Sequence, residues 1–494
     1  MKVTVWLAFI SYVLLVIVVG VIKGWRTRAT PSDFLNSGRD HRSFLAGLSA
    51  GAACESGWVL LGLVGTSYTL GVSTFWLLPG ALIGYVSTWA LVGDRFRRLS
   101  QRANTTSTPQ TLAASYPQLR TWITISAGLI VLVFMSVYVA SQFNASGKAF
   151  ESMLDIPYVT GVWLSLLLVL SYSIFGGTRS VSWTNVIQAI MMVSALIVMP
   201  VIVLLYGGHA GDLFANLAAQ DPNLVSPVSG KKGLDALSLI LGWVFIGIAV
   251  PGMPHVLRRF IASKNDPNVI KRGGVISVLW SQAVFIGAIT LGLAARAYRP
   301  GMADPEKALP VLALDLLPGL MAGFMLAAVW AAMSSTADAQ LLEAVSAVSE
   351  DLQLSGKSDP TGKGGAQTNR VIDKKKPLRA LTIIIGVVAA FVASTENRNI
   401  FTLVLDAWNV LGASLAPPIL FTLLYRRTSG AGVLLGIISG AMTVFVWRYI
   451  IQVSWLSPLV IGFLVSAAMV YVGSKLLPDE TRSEFALTKH HAEV

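Results

Sequence analysis

Residues 47–58 read GLSAGAACESGW and lie in the middle of an apolar stretch, near residues 43–70, that is long enough to cross a membrane. Three glycines, two serines and the carboxylate of Glu55 interrupt this stretch at mid-depth. Backbone groups freed by such a break cannot remain unsatisfied in lipid, so a broken helix has to line a cavity or bind something. The stretch therefore predicts a membrane protein with a binding site at the level of the break.

A second break of the same kind occurs in residues 247–255, which read GIAVPGMPH at the end of a span near residues 236–254. The two broken spans start five spans apart, so helices 2–6 and helices 7–11 form two halves that each open with a discontinuous helix. This arrangement predicts a five-plus-five inverted repeat with its site at the membrane midplane. An alternative stays open for each break by itself, because glycine and proline also serve close packing and kinks in membrane helices.

The composition agrees with a membrane protein. Of 494 residues, 54% are hydrophobic without counting glycine and 13% are charged, against about 25% charged in soluble proteins. A soluble enzyme, a nucleic-acid binder and a disordered scaffold are poor fits, because none can hide so much apolar surface. No H-E-x-x-H, G-x-S-x-G or P-loop pattern occurs, so we expect no enzyme activity.

Apolar stretches that can cross about 30 Å of hydrocarbon number about thirteen. They lie near residues 3–23, 43–70, 74–94, 121–143, 158–176, 183–206, 236–254, 273–295, 308–347, 379–394, 400–425, 431–450 and 455–474. The ninth is too long for one crossing, so its end, from about Leu342 to Leu352, is expected to project into water.

Orientation and domain limits follow from the connections. About three quarters of the 37 Lys and Arg residues fall in alternate connections, which predicts an outside N-terminus and a cytoplasmic C-terminus in a cell (plasma or inner) membrane. We expect one polytopic domain over residues 1–476, with core repeats at about 42–206 and 236–425. A flexible cytoplasmic loop is expected at residues 353–378 and a short cytoplasmic tail at 477–494.

Two carboxylates and two hydroxyls inside the spans are candidate site residues. A charge at the bilayer centre costs about 2.5 to 3.5 kcal/mol, which singles out Glu55 and Asp338. The hydroxyls of Ser335 and Thr336, with carbonyls freed at a break, suit a hard cation such as Na⁺. Alternatively, such hydroxyls bond to the preceding turn or join helices together. No role follows for the three remaining candidates, which are Asp315, Asp406 and Glu343.

Several motifs, in order over residues 40–425, resemble the sodium/solute symporter family, and the sodium/proline symporters are the most similar subgroup. They are Ser56-Gly57-Trp58, the run from Tyr138 to Gln142, the stretch from Tyr172 to Gln188, Pro254-His255 with Arg259-Phe260, Ser335-Thr336 with Gln340, and Ala407-Trp408 with Gly412 and Pro418. The resemblance implies an all-α integral membrane protein of about thirteen transmembrane helices. Its inverted-repeat core would be LeuT-like and formed by helices 2–11.

The resemblance also implies site residues. The Na⁺ ligands would be the carbonyls of Ala52, Glu55 and Ala332 and the hydroxyls of Ser335 and Thr336, with Asp338 as the candidate for a second cation. Trp58 and Tyr138 match solute-side positions of the proline subgroup. The full solute-side set is Ser56, Gly57, Trp58, Tyr138, Ile246, Val250 and Pro254.

The chain departs from the proline subgroup at four positions. Cys54 and Asn185 stand where that subgroup carries Asp, and Ile246 and Val250 stand where it carries Trp and Tyr. These differences indicate a remodelled solute pocket. They also suggest that Asp338 restores on helix 9 a charge that is lost at position 185.

The resemblance implies Na⁺-coupled symport of a small organic solute by alternating access, with proline or a related amino acid or carboxylate as the first candidate. Na⁺ is then the coupling ion, the other partners are the solute and the lipid bilayer, no nucleic acid is involved, and the oligomeric state stays open. Glu55 keeps a proton-coupled or cationic-solute transporter as an alternative. A transporter-like membrane sensor fits less well because the tail is short. A channel fits less well because paired broken helices suit an occluding site.

Overall fold

The protein is helical throughout its described part, which in this computed structural model comprises residues 2–25, 39–207, 211–352, 375–395, 399–452 and 456–479. Within these residues, ten helical stretches are long and apolar enough to cross a membrane, and three shorter apolar helices accompany them. Residues 353–374 of the expected loop and 480–494 of the expected tail lie outside the described part.

The helices before the long connection at residue 207 belong to the first half of the chain. They are α1 (Lys2–Trp25), α2 (Ser43–Cys54), α3 (Val64–Leu70), α4 (Leu77–Ser87), α5 (Asp94–Arg102), α6 (Thr108–Ala113), α7 (Arg120–Leu154) and α8 (Tyr158–Tyr206). Short π-helical or 3-10 turns extend them at Trp58–Leu63, Gly71–Trp76, Thr88–Gly93 and Pro117–Leu119.

The second half opens with a short surface helix and then repeats the pattern of a broken span. Its helices are α9 (Leu213–Gln220), α10 (Gly233–Ile248), α11 (Pro254–Ile261), α12 (Pro267–Tyr298), α13 (Ala308–Leu316), α14 (Gly319–Ser346), α15 (Lys375–Thr395), α16 (Ile400–Leu424), α17 (Gly430–Phe445) and α18 (Pro458–Leu476). Short turns lie at Pro222–Val225, Val250–Gly252, Pro305–Lys307, Ala347–Asp351 and Val446–Ile451. Polar residues cap several starts: Asp266, Asn399 and Ser429 each accept a backbone N–H from the first turn.

One helical run, Trp58–Arg102, is 45 residues long and contains the second half of the second predicted span and the whole of the third. Gly71 separates them, since its φ of 66° is a left-handed conformation that favours glycine. A methyl group at this position would also overlap the backbone of Leu224. The second and third predicted spans are therefore distinct.

The helix α8 covers two predicted spans, although its 49 residues are helical throughout. Tyr172 and Gln188 would lie about 24 Å apart on a straight helix. Both nevertheless reach Ser334, the phenol at 3.4 Å from its carbonyl and the amide at 3.0 Å from its hydroxyl. The helix must bend between them, which agrees with the two separate spans predicted at 158–176 and 183–206.

The prediction for the C-terminal end of the ninth span was wrong. The span is shortened at its N-terminal end instead, where Leu317 and Pro318 separate α13 from α14. The end near Leu342–Leu352 does not project freely into water. Glu343 and Asp351 are buried, because Glu343 pairs with Arg258 and the carboxylate of Asp351 accepts a hydrogen bond from the Ser107 hydroxyl.

The core of the bundle is formed by α14 and α16. In each, 83% of the most apolar window is buried, against 39% in the windows of α1, α17 and α18. Large apolar side chains at Val3, Leu7 and Leu14 are exposed along α1 at helical spacing, as expected for a face in contact with lipid. The central helices carry the residues predicted to form the site.

Candidate functional site

The first break lies where α2 ends at Cys54 and the backbone of Glu55 becomes extended. The freed N–H of Gly57 donates to Oε1 of Gln142 at 3.1 Å. The indole N–H of Trp58 donates to the carbonyl of Cys54 at 3.3 Å. Side chains of this chain therefore satisfy part of the broken backbone, as a mid-membrane break requires.

Four of the five predicted Na⁺ ligands converge beside this break. The hydroxyl of Ser335 lies 2.9 Å from the carbonyl oxygens of both Ala52 and Ala332. The hydroxyl of Thr336 lies 3.3 Å and 3.2 Å from the same two oxygens. Each hydroxyl has only one proton to donate, so two of these four contacts at any moment join oxygens with no hydrogen between them. The fifth predicted ligand, the Glu55 carbonyl, follows Ala52 by three residues at the end of α2.

A second polar cluster surrounds Asp338, which is fully buried. The phenol of Tyr172 and the guanidinium of Arg259 face its carboxylate, although within the described residues neither carboxylate oxygen has a hydrogen-bond partner within 3.5 Å. Arg259 also donates to the hydroxyl of Ser182 at 3.1 Å. The amide of Asn185 donates at 3.4 Å to the carbonyl of Ser335, whose hydroxyl belongs to the first cluster.

The second break is filled mainly by close packing. Its 3-10 turn, Val250–Gly252, separates α10 from α11. The carbonyl of Ile246 accepts a hydrogen bond from the indole N–H of Trp408 at 2.9 Å. A methyl group at Gly252 would lie 2.8 Å from the backbone nitrogen of Ala416, so α16 presses directly on this turn.

A small cavity lies between the two breaks. Glu55 is the one carboxylate in its wall, and its Oε1 accepts a short hydrogen bond from the phenol of Tyr85. The residues that line the cavity are Cys54, Glu55, Trp58, Leu77, Ala81, Tyr85, Ile246, Gly247, Val250, Phe285 and Trp408. The wall is therefore aromatic and aliphatic except at one end.

The predicted solute-side residues fall into three groups. Trp58, Ile246 and Val250 line the cavity. The ring of Tyr138 lies behind it, with its centre 6.3 Å from that of Trp408 and 6.1 Å from that of His255. The remaining predicted residues form the backbone of the breaks and do not line the cavity: Ser56, Gly57 and Pro254.

Several residues of the site were not predicted from the sequence. Tyr85, Phe285 and Trp408 line the cavity, and Gln142 holds the first break. Trp408 and Gln142 occur in the motifs that carry the family resemblance, which was a usable signal. Nothing in the local sequence marks Tyr85 or Phe285, since aromatic residues are common in apolar spans.

The three carboxylates without a predicted role each pair with an arginine. Asp315 and Asp406 form exposed or partly exposed pairs with Arg299 at 2.5 Å and Arg448 at 3.1 Å. Glu343 forms its buried pair with Arg258, which joins α11 to α14. A second buried pair, Lys148 with Glu306 at 2.7 Å, lies elsewhere in the bundle, and Glu306 also accepts the first backbone N–H groups of α16.

Comparisons with known proteins agree with this arrangement. Residues 34–440 match the profile of the sodium:solute symporter family. The chain is 32% identical over 453 residues to a high-affinity proline transporter of Bacillus subtilis, covering 90% of this chain and 92% of that one. It is 31% identical to a sodium/proline symporter of Escherichia coli over 484 residues, which cover 95% of this chain and 92% of that one.

Solved structures confirm the predicted fold. A Na⁺-coupled sialic acid symporter in an outward-open state matches with a TM-score of 0.78 at 19% identity, covering 97% of this chain and 99% of that one. A transporter of the nucleobase-cation-symport-1 family matches with a TM-score of 0.55 at 12% identity, covering 92% and 98% of the two chains. The all-helical, multi-span architecture expected from the sequence is therefore correct.

Proposed function

Because this chain belongs to the sodium:solute symporter family, we propose that it imports a small organic solute together with Na⁺, with proline or a related amino acid or carboxylate as the first candidate. The protein is a multi-pass membrane transporter and not an enzyme. Proline is supported by the names of two relatives at 31–32% identity. Ile246 and Val250 line the cavity at positions where the proline subgroup carries Trp and Tyr, so the solute panel has to extend beyond proline.

The convergence of four oxygens at the first break carries this proposal. Each of the two hydroxyls lies within 3.3 Å of both carbonyl oxygens, although the hydroxyls supply only two protons. A hard cation that binds among them would satisfy all four oxygens at once. We assign Na⁺ to the carbonyls of Ala52, Glu55 and Ala332 and the hydroxyls of Ser335 and Thr336.

The driving force is adequate for uptake. One positive charge that enters across 100 mV releases about 2.3 kcal/mol. A tenfold Na⁺ gradient adds about 1.4 kcal/mol. Together they support accumulation of a neutral or zwitterionic solute by a few hundred-fold.

The proposal includes a topology. The N-terminus lies outside and the C-terminus in the cytoplasm of the cell membrane, and the repeats at about 42–206 and 236–425 rock around the site between the breaks. Cys54 is the only cysteine, and it is buried. Cysteines introduced one at a time into a Cys54→Ala background, and labelled from one side of the membrane, test this topology.

We assign Asp338 to the environment of a second cation, next to the first through Ser335. Ser335 and Asp338 lie about one helical turn apart on α14, and the amide of Asn185 donates to the carbonyl of Ser335. Arg259, which faces Asp338, supplies a competing positive charge. If a second cation binds there, Asp338→Asn changes the Na⁺ dependence of uptake, whereas an unchanged apparent Na⁺ affinity would remove this assignment.

The main experiment measures uptake of labelled proline and a panel of amino acids into proteoliposomes. An inward Na⁺ gradient is compared with an equal K⁺ gradient and with a proton gradient. Saturable uptake that requires Na⁺ supports the proposal. Uptake driven by protons without Na⁺ would replace Na⁺ as the coupling ion, and ohmic currents would indicate a channel.

Variants at the oxygen cluster test the assigned ion site. Thr336→Ala removes one ligand and should raise the half-saturating Na⁺ concentration by about tenfold or more. Ser414→Ala is the matched control, since this buried hydroxyl donates only to Val410 in its own helix. Equal effects of the two substitutions would contradict the assignment.

A further inference from the structure

The side chain of Glu55 does not take part in the oxygen cluster that we assign to Na⁺. Because α2 ends at Cys54, the extended backbone of Glu55 places its side chain in the cavity wall, where the carboxylate is fully buried. Tyr85 donates to Oε1. The hydroxyl of Ser281 also faces this carboxylate, and within the described residues neither that hydroxyl nor Oε2 has a hydrogen-bond partner within 3.5 Å.

The rest of the cavity wall offers no second charge. Trp58, Phe285 and Trp408 contribute aromatic rings, with the Trp58 ring centre 5.8 Å from that of Phe285 and 6.3 Å from that of Trp408. The other lining residues are aliphatic, apart from Cys54 and Tyr85. None of the residues that line this cavity in the described part of the chain is Lys, Arg or His.

A buried carboxylate beside aromatic rings is suited to an organic ammonium group. The carboxylate supplies a charged acceptor, while the faces of Trp rings attract cations. An inorganic cation would find only the Glu55 carboxylate and the Tyr85 hydroxyl among the side-chain oxygens of this wall, fewer than the five oxygens that we assign to Na⁺ beside the first break. The CH groups of an organic ammonium instead match the apolar part of the wall.

We propose that Glu55 binds the amine of the transported solute, and that a protonated or quaternary amine is therefore required for recognition. This inference rests on the proposed function and specifies which group of the solute the cavity selects. A solute that has a carboxylate but no amine is rejected, because two carboxylates in a dry cavity repel each other. An amine without a carboxylate is still accepted.

Probes of similar size separate the two groups of the solute. L-proline carries an amine and a carboxylate, glycine betaine a quaternary amine and a carboxylate, pyrrolidine only the amine, and tetrahydrofuran-2-carboxylate only the carboxylate. Each is titrated into the purified full-length protein in saturating NaCl, with the thermal unfolding midpoint as the readout. We expect at least one amine probe to bind, and tetrahydrofuran-2-carboxylate to bind at least about tenfold more weakly.

Two variants and one control identify the residue responsible. Glu55→Gln should weaken binding of the amine probe by about ten- to a hundredfold. Tyr85→Phe keeps the carboxylate and should weaken binding by less than about fivefold. Asp315→Asn, which removes a carboxylate from an exposed pair with Arg299, is the control and should change nothing.

The outcomes separate this inference from the function on which it rests. Stabilisation of the unmodified protein by NaCl over KCl, at equal ionic strength, tests Na⁺ binding without any solute. If NaCl stabilises and no amine probe binds, or if the carboxylate-only probe binds as well as proline, only the role of Glu55 fails. It also fails if Glu55→Gln binds the amine normally, or if Tyr85→Phe abolishes binding as fully as Glu55→Gln. Absence of any Na⁺ effect overturns the proposed function itself.

Discussion

The two helix breaks occupy matching places in the chain but are held in different ways. At the first, polar groups meet the freed backbone: Gln142 accepts the N–H of Gly57, and two hydroxyls lie at the carbonyl of Ala52. At the second, the turn Val250–Gly252 is enclosed by neighbouring backbone, and a single indole N–H, from Trp408, satisfies the carbonyl of Ile246.

This difference separates two tasks that a symporter has to combine. Oxygen atoms gathered at the first break can select a hard cation by its chemistry. The close-packed second break contributes mostly shape to the cavity wall, through Ile246 and Val250. This division predicts that substitutions at the first break change mainly the Na⁺ dependence of uptake. Substitutions at the second break should change the preference among solutes and the stability of the protein.

The largest effect is expected from Gly247→Ala at the second break. A methyl group there would overlap the backbone of Gly80 in α4, and two packed backbones cannot separate cheaply. We expect a loss of about 3 kcal/mol in stability, or failure to fold, seen as a lower thermal midpoint and yield. Gly242→Ala is the control in the same helix, because the nearest atom, Cβ of Ser457, would lie at 3.7 Å. Equal midpoints for the two variants would show that the second break is not packed as described.

Gln142→Leu is the corresponding test of the first break. It leaves the buried N–H of Gly57 without its acceptor, which costs about 1 to 3 kcal/mol. We expect the half-saturating Na⁺ concentration for uptake to rise more than the KM for the solute. Ser136→Ala, on the same helix α7, removes a hydroxyl bonded only to Leu132 in its own helix and serves as the control. A change in solute KM alone would contradict the division of tasks.

Trp408→Phe should have a smaller effect than Gln142→Leu. Its effect should fall on the preference among solutes and not on the Na⁺ dependence of uptake. The substitution removes the donor to the Ile246 carbonyl, at a cost of about 1 kcal/mol. Because Trp408 also lines the cavity, the order of preference among solutes should change. Uptake competition across the amino-acid panel measures this order. A rise in the half-saturating Na⁺ concentration as large as that of Gln142→Leu would show that both breaks serve the ion.

Much of the fold could be predicted because it depends on properties local to the sequence. Apolar length located the spans, and glycine and proline located both breaks. Two spans were predicted over the residues of α8, where the structure has one continuous helix. The grouping of Ser335 and Thr336 with Ala52 came from the family resemblance, since apolar spacing does not state which faces of two distant helices meet.

What could not be predicted depends on partners far apart in the chain. The charges at the end of α14 suggested exposure to water, but Arg258 and Ser107 bury them. Glu55 was expected to contribute its carbonyl, and the path of its side chain toward Tyr85 follows from the extended backbone after Cys54. Both results need the three-dimensional packing of helices separated by tens of residues.

Ser56→Ala should have the smallest effect of the substitutions at the breaks. The hydroxyl of Ser56 accepts the N–H of Trp58 at a long 3.4 Å, whereas its carbonyl accepts the N–H of Val59 at 2.9 Å and is kept in the variant. We therefore expect a loss below about 0.5 kcal/mol, and less than a twofold change in Na⁺ and solute dependence of uptake. A large rise in solute KM with unchanged Na⁺ dependence would mean that the hydroxyl contacts the solute. The first break would then carry solute chemistry as well, and the two breaks would differ in packing but not in task.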